Sequence, residues 1–273
     1  MIIKPKNQIE PKNCSIGIIY GLAGVGKTTL CGQSGLLIDL EEGVLRSSAT
    51  AQVAQGANLK DILGVIKSTD YKDITIDTGD ELVRLISADC KSENPKLQSA
   101  SQTLRLYGAV LDKLIYFIGE CRRSGKNIVF VCHGKKDEST DTQRFIPRFG
   151  SENNNIELFK VCDFIGYLYA QGQERYLTFD PSDFNNCKNS LQIETQKVIK
   201  ETDIFDVLES ARKEQHFDFE AKKAKINDYK EQIKNAKTET ELTEIGKELR
   251  NNKIFDNEVV KLFNAKKSEL CEQ

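Results

Sequence analysis

The segment 21–28, Gly-Leu-Ala-Gly-Val-Gly-Lys-Thr, constrains the fold more than any other part of the chain. It matches the pattern G-x-x-x-x-G-K-[ST] and follows the apolar run 16–20, which predicts a buried β-strand. Glycines let such a loop wrap closely enough for its backbone N–H groups to point at a phosphate, and a helix beginning at Lys27 directs its positive dipole end there. The segment therefore predicts a site for the phosphates of a nucleotide, ATP.

The same pattern assigns roles to individual side chains. Lys27 is expected to reach the β- and γ-phosphates, and the Thr28 hydroxyl to bind Mg²⁺. The strand 74–77 ends in Asp77, whose carboxylate is the expected second group on the metal side, although an Asp there could also only cap the next helix. The predicted nucleotide-binding residues are Gly21, Leu22, Ala23, Gly24, Val25, Gly26, Lys27, Thr28 and Thr29.

Hydrolysis of ATP also needs a group that orients or deprotonates the attacking water. No acid is adjacent to Asp77, but the strand 36–40 is followed by Glu41 and Glu42. Ligands of open α/β sheets bind beyond the carboxyl ends of the strands, so either glutamate could meet the water there. Solvated loop acids are the alternative interpretation.

The rest of the chain predicts an α/β fold in which helices flank a mostly parallel sheet, followed by a helical extension. Apolar runs at 16–20, 36–40, 74–77, 128–132 and 164–170 are the expected strands, and 164–170 with 175–179 the expected antiparallel hairpin. A covering helix is predicted over 103–123. Its predicted apolar face consists of Leu104, Tyr107, Leu111, Leu114, Ile115 and Ile118.

Beyond residue 200 the charge rises and glycine nearly vanishes, so we divide the chain into a core, 1–200, and a charged helical region, 201–273. Thr238 and Glu241 fit a capping box that opens a helix. Leu242, Ile245 and Leu249 lie on one face of that helix, and Val259, Phe263 and Leu270 suggest a partner helix. A solvated helical hairpin with only a structural role is the plainer interpretation of this region.

Composition excludes several function classes. With 39 Lys and Arg against 41 Asp and Glu, no global positive field draws the chain to nucleic acid, so any such contact must be local. Eight cysteines without a C-x-x-C pair, and only two histidines, His133 and His216, favour neither a zinc site nor a disulfide framework. No apolar run is long enough to cross a bilayer, so we expect a cytoplasmic protein.

The order of these segments resembles the RecA-type branch of P-loop ATPases. Residues 38–41, Ile-Asp-Leu-Glu, resemble the I-D-A-E stretch of RecA, which implies that Glu41 is the catalytic base. His133 follows the strand 128–132 where RecA has a glutamine that senses the γ-phosphate, and the resemblance implies a sensor role. Residues 187–189, Cys-Lys-Asn, resemble the K-N-K segment that reaches a neighbouring subunit's ATP, which makes Lys188 a candidate trans-acting finger; Ser190 replaces the second lysine.

Among RecA-like proteins the layout of residues 14–190 most resembles compact phage ATPases that act in single-strand annealing and recombination. The resemblance implies a homo-oligomer on single-stranded DNA in a phage or bacterial cytosol, with loops 91–102 and 134–155 facing the DNA. In the second loop, phosphates and bases would meet Lys135, Lys136, Arg144, Arg148, Phe145 and Phe149. That loop could instead be a lid over ATP.

Two other functions remain open from the sequence. The first is an ATP-switched adaptor that binds a replication or single-strand-binding protein through the helical region 201–273. The second is a small-molecule kinase, which the absence of an evident acceptor-binding or Arg-rich lid motif disfavours.

Overall fold

The computed structural model describes residues 9, 12–56, 58–137, 144–150, 152–252, 254 and 256–271, with the backbone alone for 152–155. The strands are β1 (Ile16–Gly21), β2 (Leu36–Asp39), β3 (Gln52–Gln55), β4 (Asp73–Asp77), β5 (Asn127–Lys136), β6 (Phe145–Pro147), β7 (Phe164–Gln171), β8 (Glu174–Thr178), β9 (Lys188–Asn189) and β10 (Gln196–Val198). The helices are α1 (Lys27–Cys31), α2 (Leu59–Ser68), α3 (Gly79–Glu93), α4 (Thr103–Arg123), α5 (Glu152–Val161), α6 (Ile204–Asn235), α7 (Glu239–Asn251) and α8 (Asn257–Cys271).

Among the described residues, one sheet runs in the order β10-β8-β7-β1-β5-β4-β2-β3. Strands β3, β2, β4, β5, β1 and β7 are parallel, while β8 is antiparallel to both β7 and β10. Because the six parallel strands share one direction, their carboxyl ends meet at one edge of the sheet. The predicted α/β fold, with a mostly parallel sheet between helices, is therefore confirmed.

Alternating side chains of the strands build two apolar layers, one on each face of the sheet. In β1, Ile18 and Tyr20 enter one layer with α2, α3 and α4, whereas Ile19 enters the other. The second layer contains Leu30 and Cys31 of α1 together with the first two turns of α6. Burial on both faces accounts for the almost unbroken apolar character of β1.

The helix α4 has the predicted bounds but not the predicted face. Of the six residues expected to be buried, Leu114 and Ile118 are buried and Leu111 is partly buried, whereas Leu104, Tyr107 and Ile115 are exposed. The inward face is made by Val110, Leu114, Phe117, Ile118 and Cys121. Both stripes have helical spacing, and only the position of the sheet decides which one packs.

The predicted loop 134–155 is largely regular structure. Strand β5 continues through His133 to Lys136 and pairs with β6, and α5 begins at Glu152. Residues 138–143 and 151 lie outside the described part. Residues 91–102 are likewise not an open loop, since they comprise the end of α3 and two short 3₁₀ turns, Pro95–Gln98 and Ala100–Gln102.

The chain divides into two compact units, 13–211 and 212–273 with 1–12, so the division falls inside α6 rather than at residue 200. In the second unit, Thr238 caps α7 by accepting from Glu241 N at 3.2 Å, as the capping box predicted. Leu242, Leu249 and Val259 form its buried core with Tyr229 and Ile233. Among the described helices, none combines the length and the apolar character needed to cross a membrane.

Candidate nucleotide site

The glycine-rich loop leaves β1 at Gly21 and enters α1 at Lys27. Gly24 and Gly26 have φ angles of +76° and +96°, a region in which residues with a Cβ are strained, so the loop requires glycine at both positions. The Lys27 ammonium is buried and donates to Leu22 O at 2.9 Å, which keeps it inside the loop. Burial lowers the pKa of Lys27, and the nearby Asp77 carboxylate opposes that shift.

Two oxygen groups that could bind a metal, the Thr28 hydroxyl and the Asp77 carboxylate, lie together at the sheet edge. Thr28 Oγ1 donates to Asp77 Oδ2 at 2.6 Å. Burial raises the pKa of Asp77 to about 6; the Thr28 hydrogen bond opposes this shift and the neighbouring Glu41 adds to it. A hydroxyl and a buried carboxylate are donors that suit Mg²⁺, which is commonly held by one or two carboxylates together with substrate phosphates. The side chains present therefore fit the predicted metal.

The loop after β2 brings Glu41 to the same edge. Asp39 closes this loop by accepting from Gly43 N and Val44 N, both at 3.0 Å. Glu41 Oε1 accepts from Thr78 Oγ1 at 2.7 Å, which places this carboxylate next to the residue that follows Asp77. Glu41 and Glu42 are both exposed, but Glu42 has a φ of +52° and, among the described residues, its side chain has no hydrogen-bond partner. The Thr78 hydrogen bond thus ties Glu41 to the site, whereas no such contact holds Glu42 there.

His133 pairs with Gly21 in the β1–β5 ladder and so lies beside the start of the glycine-rich loop. Its side chain is partly buried. Burial and then the Lys27 ammonium lower the pKa of His133, whereas Glu41 raises it. The imidazole is therefore neutral at pH 7 and can both donate and accept a hydrogen bond.

Lys188 is not brought to this chain's own glycine-rich loop. It pairs with Ile165 near the start of β7, whereas the loop follows the other end of the neighbouring β1. Its ammonium donates to Phe159 O of α5 at 2.9 Å. A role for Lys188 at a neighbouring subunit stays a prediction.

Sequence reasoning missed Asp80. It lies in the first turn of α3, and its carboxylate is 3.7 Å from Arg148 Nε. Burial raises the pKa of Asp80 to about 6, and Arg148 opposes the shift. Asp80 Oδ2 is buried and has no hydrogen-bond partner among the described residues. The signal was the sequence Asp77-Thr78-Gly79-Asp80, because a helix that begins at Gly79 places Asp80 in its first turn, three residues after Asp77.

The two aromatic residues predicted to stack on DNA bases pack against other aromatic rings of the chain instead. Phe149 is fully buried and packs edge-on against Phe130 with centroids 5.7 Å apart, so its prediction was wrong. Phe145 is partly buried and stacks on Tyr167 at 5.9 Å. Of the basic residues, Arg144 is held by Asn186 Oδ1 at 2.9 Å, whereas Lys136 and Arg148 are exposed and Lys135 is partly so.

Comparison with solved structures gives, among others, a KaiC-like protein from the hyperthermophilic archaeon Pyrococcus horikoshii OT3. The match has 13% identity and a TM-score of 0.38, and it covers 62% of this chain and 78% of that chain. Comparison with curated protein sequences gives no match. The family described as an AAA domain matches residues 15–191, a range that contains the glycine-rich loop, Glu41, Asp77 and His133. Since this match covers more than half of the 273 residues, the chain belongs to the AAA domain family.

Proposed function

We propose that this chain is a Mg²⁺-dependent ATPase. Membership of the AAA domain family supports nucleotide binding at the glycine-rich loop. The observation that carries hydrolysis is the continuous set of contacts at the sheet edge: Thr28 bonds to Asp77, and the adjacent Thr78 bonds to Glu41. These contacts hold a phosphate-binding residue, a metal-side carboxylate and a candidate base within one cluster.

Each side chain of the cluster has a distinct part in this proposal. Lys27 binds the β- and γ-phosphates, and Thr28 and Asp77 would hold the metal. Mg²⁺, when bound, neutralises charge on the phosphate oxygens. Glu41 orients the attacking water and accepts its proton, and the Thr78 hydroxyl fixes the carboxylate for that purpose. Neutral His133 lies beside the start of the loop, where it can hydrogen-bond a γ-phosphate and sense its loss.

The test of hydrolysis is Glu41→Gln, with Glu42→Gln as its matched control. Glu41→Gln keeps the volume but removes the base, so ATP turnover should fall by about 10²–10⁴-fold while ATP binding, measured with a fluorescent analogue, persists. Glu42→Gln should turn over ATP at the wild-type rate. If Glu41→Gln is as active as the wild type, Glu41 is not the base.

We further propose that single-stranded DNA stimulates this ATPase and assembles the chain into oligomers. Lys136 and Arg148 are exposed and Lys135 is partly so; Arg148 also contacts Asp80, beside the candidate catalytic cluster. A DNA strand bound to these side chains would therefore contact Arg148, which is linked to the site through Asp80. The charged helices of the second unit, 212–273, are the candidate surface for a protein partner.

ATP turnover and size-exclusion profiles, each with and without single-stranded DNA at low salt, test this second proposal. The DNA-binding constant should fall as salt rises, with a slope of about −0.7 per phosphate contact when its logarithm is plotted against the logarithm of the salt concentration, and stimulation should weaken with it. Lys136→Glu should reduce stimulation without changing basal turnover. If DNA neither stimulates turnover nor binds at low salt, an ATP-switched adaptor becomes the better description.

A further inference from the structure

The hairpin of β7 and β8 projects beyond the sheet edge at which the glycine-rich loop begins. Strand β7 is parallel to β1, and Tyr167 pairs with Tyr20, one residue before β1 ends. Strand β7 then continues to Gln171 before the chain turns back. Arg175, the second residue of β8, pairs with Ala170 in this projecting part. The hairpin tip therefore lies alongside the loop 21–28.

Alternation along β8 decides which of its side chains faces the loop. Leu177, two residues after Arg175, belongs to the apolar layer that contains Leu30 and Cys31 of α1. Tyr176 points to the opposite face, where it stacks with Tyr169 at 5.8 Å. Because side chains two apart share a face, Arg175 points to the side occupied by α1 and the glycine-rich loop.

The guanidinium of Arg175 lies directly against Gly26. A Cβ atom on Gly26 would overlap Arg175 Nη1 and would be 3.5 Å from Arg175 Cζ. Gly26 immediately precedes Lys27, at the point of the loop where backbone N–H groups cradle phosphates. The space that a side chain at position 26 would occupy is thus filled by Arg175 of β8, a strand far from Gly26 in the sequence.

In the part of the chain that the structure describes, no acceptor engages the guanidinium of Arg175. Among the described residues, Arg175 forms neither a side-chain hydrogen bond nor an ion pair. The neighbouring Glu174 is engaged elsewhere, since it accepts from Lys197 and from Tyr176 Oη. Arg175 is nevertheless partly buried, and an arginine presents five donors in a planar fork that matches phosphate oxygens.

We propose that Arg175 is a further nucleotide-binding residue that acts in cis and donates to phosphate oxygens of the nucleotide held by its own loop. The inference rests on the proposed nucleotide site. There, the guanidinium of Arg175 would supply positive charge in addition to the ammonium of Lys27. The inference also gives the hairpin a function, because β8, which pairs with β7 and lies two strands away from β1, brings the arginine to the phosphates. Because Gly26 lies where the α- and β-phosphates are cradled, ATP and ADP should both depend on Arg175, and AMP much less.

The test compares Arg175→Ala and Arg175→Lys with the wild type. Arg84→Ala is the control, because it removes an exposed arginine that pairs with Glu81. Affinities for ATP, ADP and AMP are measured by displacement of a fluorescent ADP analogue at fixed ionic strength. Arg175→Ala should bind ATP and ADP about 10- to 100-fold more weakly, the range expected for a charge-assisted hydrogen bond. Arg175→Lys should be intermediate, because it restores the charge but not the fork.

The outcomes separate this inference from the proposal on which it rests. If the wild type binds nucleotide and Arg175→Ala binds ATP and ADP equally well, Arg175 does not contact the phosphates. An equal loss for ATP, ADP and AMP, accompanied by a lower thermal midpoint, would assign Arg175 a structural role and would also overturn the inference. If the wild type binds none of the three, the nucleotide site itself fails, and this inference with it.

Discussion

Asp77 is held in a state that costs folding free energy. A buried carboxyl whose pKa is about 6 in the folded chain binds more protons than the unfolded chain does between the ordinary value of 3.8 and 6. The free energy of unfolding therefore falls as the pH rises through this window, and the full cost is present at pH 7. Such a cost is typical of a carboxylate retained for binding rather than for stability.

We therefore expect Asp77→Asn to stabilise the folded chain at pH 7 by about 1–3 kcal/mol, while it weakens Mg²⁺-dependent ATP binding. The gain should shrink as the pH falls from 7 to 5, because Asp77 then becomes protonated in the folded wild type. Urea denaturation at pH 7, 6 and 5 measures it. Asp39→Asn is the matched control and should destabilise the chain, because the Asp39 carboxylate accepts two backbone N–H groups. An Asp77→Asn gain that does not change with pH would contradict the account.

The site residues that the sequence predicted and those that it missed differ in which structural features place them at the site. Asp77 ends a predicted strand, Glu41 directly follows another, and Thr28 lies in the loop after a third. Parallel strands bring these carboxyl ends together without further information. Asp80 depends on where α3 begins, and Arg175 on the pairing of a hairpin with a strand far away in the sequence. Register between distant strands is a tertiary property, so no local pattern could have connected Arg175 to Gly26.

At the scale of elements, the first residue of α3 is a glycine, Gly79, because no larger side chain fits there, and not because the backbone needs a positive φ. A Cβ atom on Gly79 would overlap Phe149 Cε2 and would lie 2.8 Å from Cys132 Sγ. Phe149 follows β6, so the ring fixes the segment after β6 against the helix that carries Asp80. This packing is why Phe149 is buried rather than available for stacking on bases.

We expect Gly79→Ala to destabilise the chain by about 1–3 kcal/mol through overpacking, and to weaken ATP binding because it displaces Thr78 and Asp80. Gly64→Ala, in an exposed part of α2 where a Cβ would meet no atom within 4 Å, is the matched control and should stabilise the chain by about 0.5–1 kcal/mol. Urea unfolding measures both. Adding Phe149→Leu to Gly79→Ala should recover part of the loss; strictly additive losses would show that the two side chains do not collide.

The extent of the helices was more predictable than their orientation. The bounds of α4 follow from its long apolar periodicity and its end before Gly125, both local signals. The buried stripe of α4 depends on how the helix lies on the sheet, and two stripes of similar apolar content were available. The segment 134–155 was missed for a related reason, since β6 is short and is stabilised by pairing with a β5 that extends past His133.

At the scale of the whole molecule, α6 belongs to both units. Its first turns bury Ile204, Phe205 and Leu208 in the core of the unit 13–211, whereas Tyr229 and Ile233 belong to the core of the other unit. The composition change near residue 201 marks where charge rises, but the apolar residues at the start of α6 still belong to the sheet. A boundary drawn from composition therefore falls before the residues that complete the nucleotide-binding unit.

This arrangement predicts different outcomes for two truncations. A chain ending at Ala211 keeps Ile204, Phe205 and Leu208, each at most 4% exposed, so it should bind ATP with wild-type affinity and unfold cooperatively. A chain ending at Lys200 lacks all three, and since each buried side chain contributes about 1.5–3 kcal/mol, the loss is comparable with the roughly 5–15 kcal/mol that stabilises a typical domain.

Urea denaturation and binding of a fluorescent ATP analogue distinguish the two truncated chains. In the full chain, Leu208→Ala should lower the urea midpoint of the ATP-binding unit by an amount corresponding to about 2–5 kcal/mol. Leu249→Ala, a buried leucine of the other unit, should leave ATP affinity unchanged. If the chain ending at Lys200 is as stable as the chain ending at Ala211, the start of α6 adds nothing to the nucleotide-binding unit, and composition marks the boundary correctly.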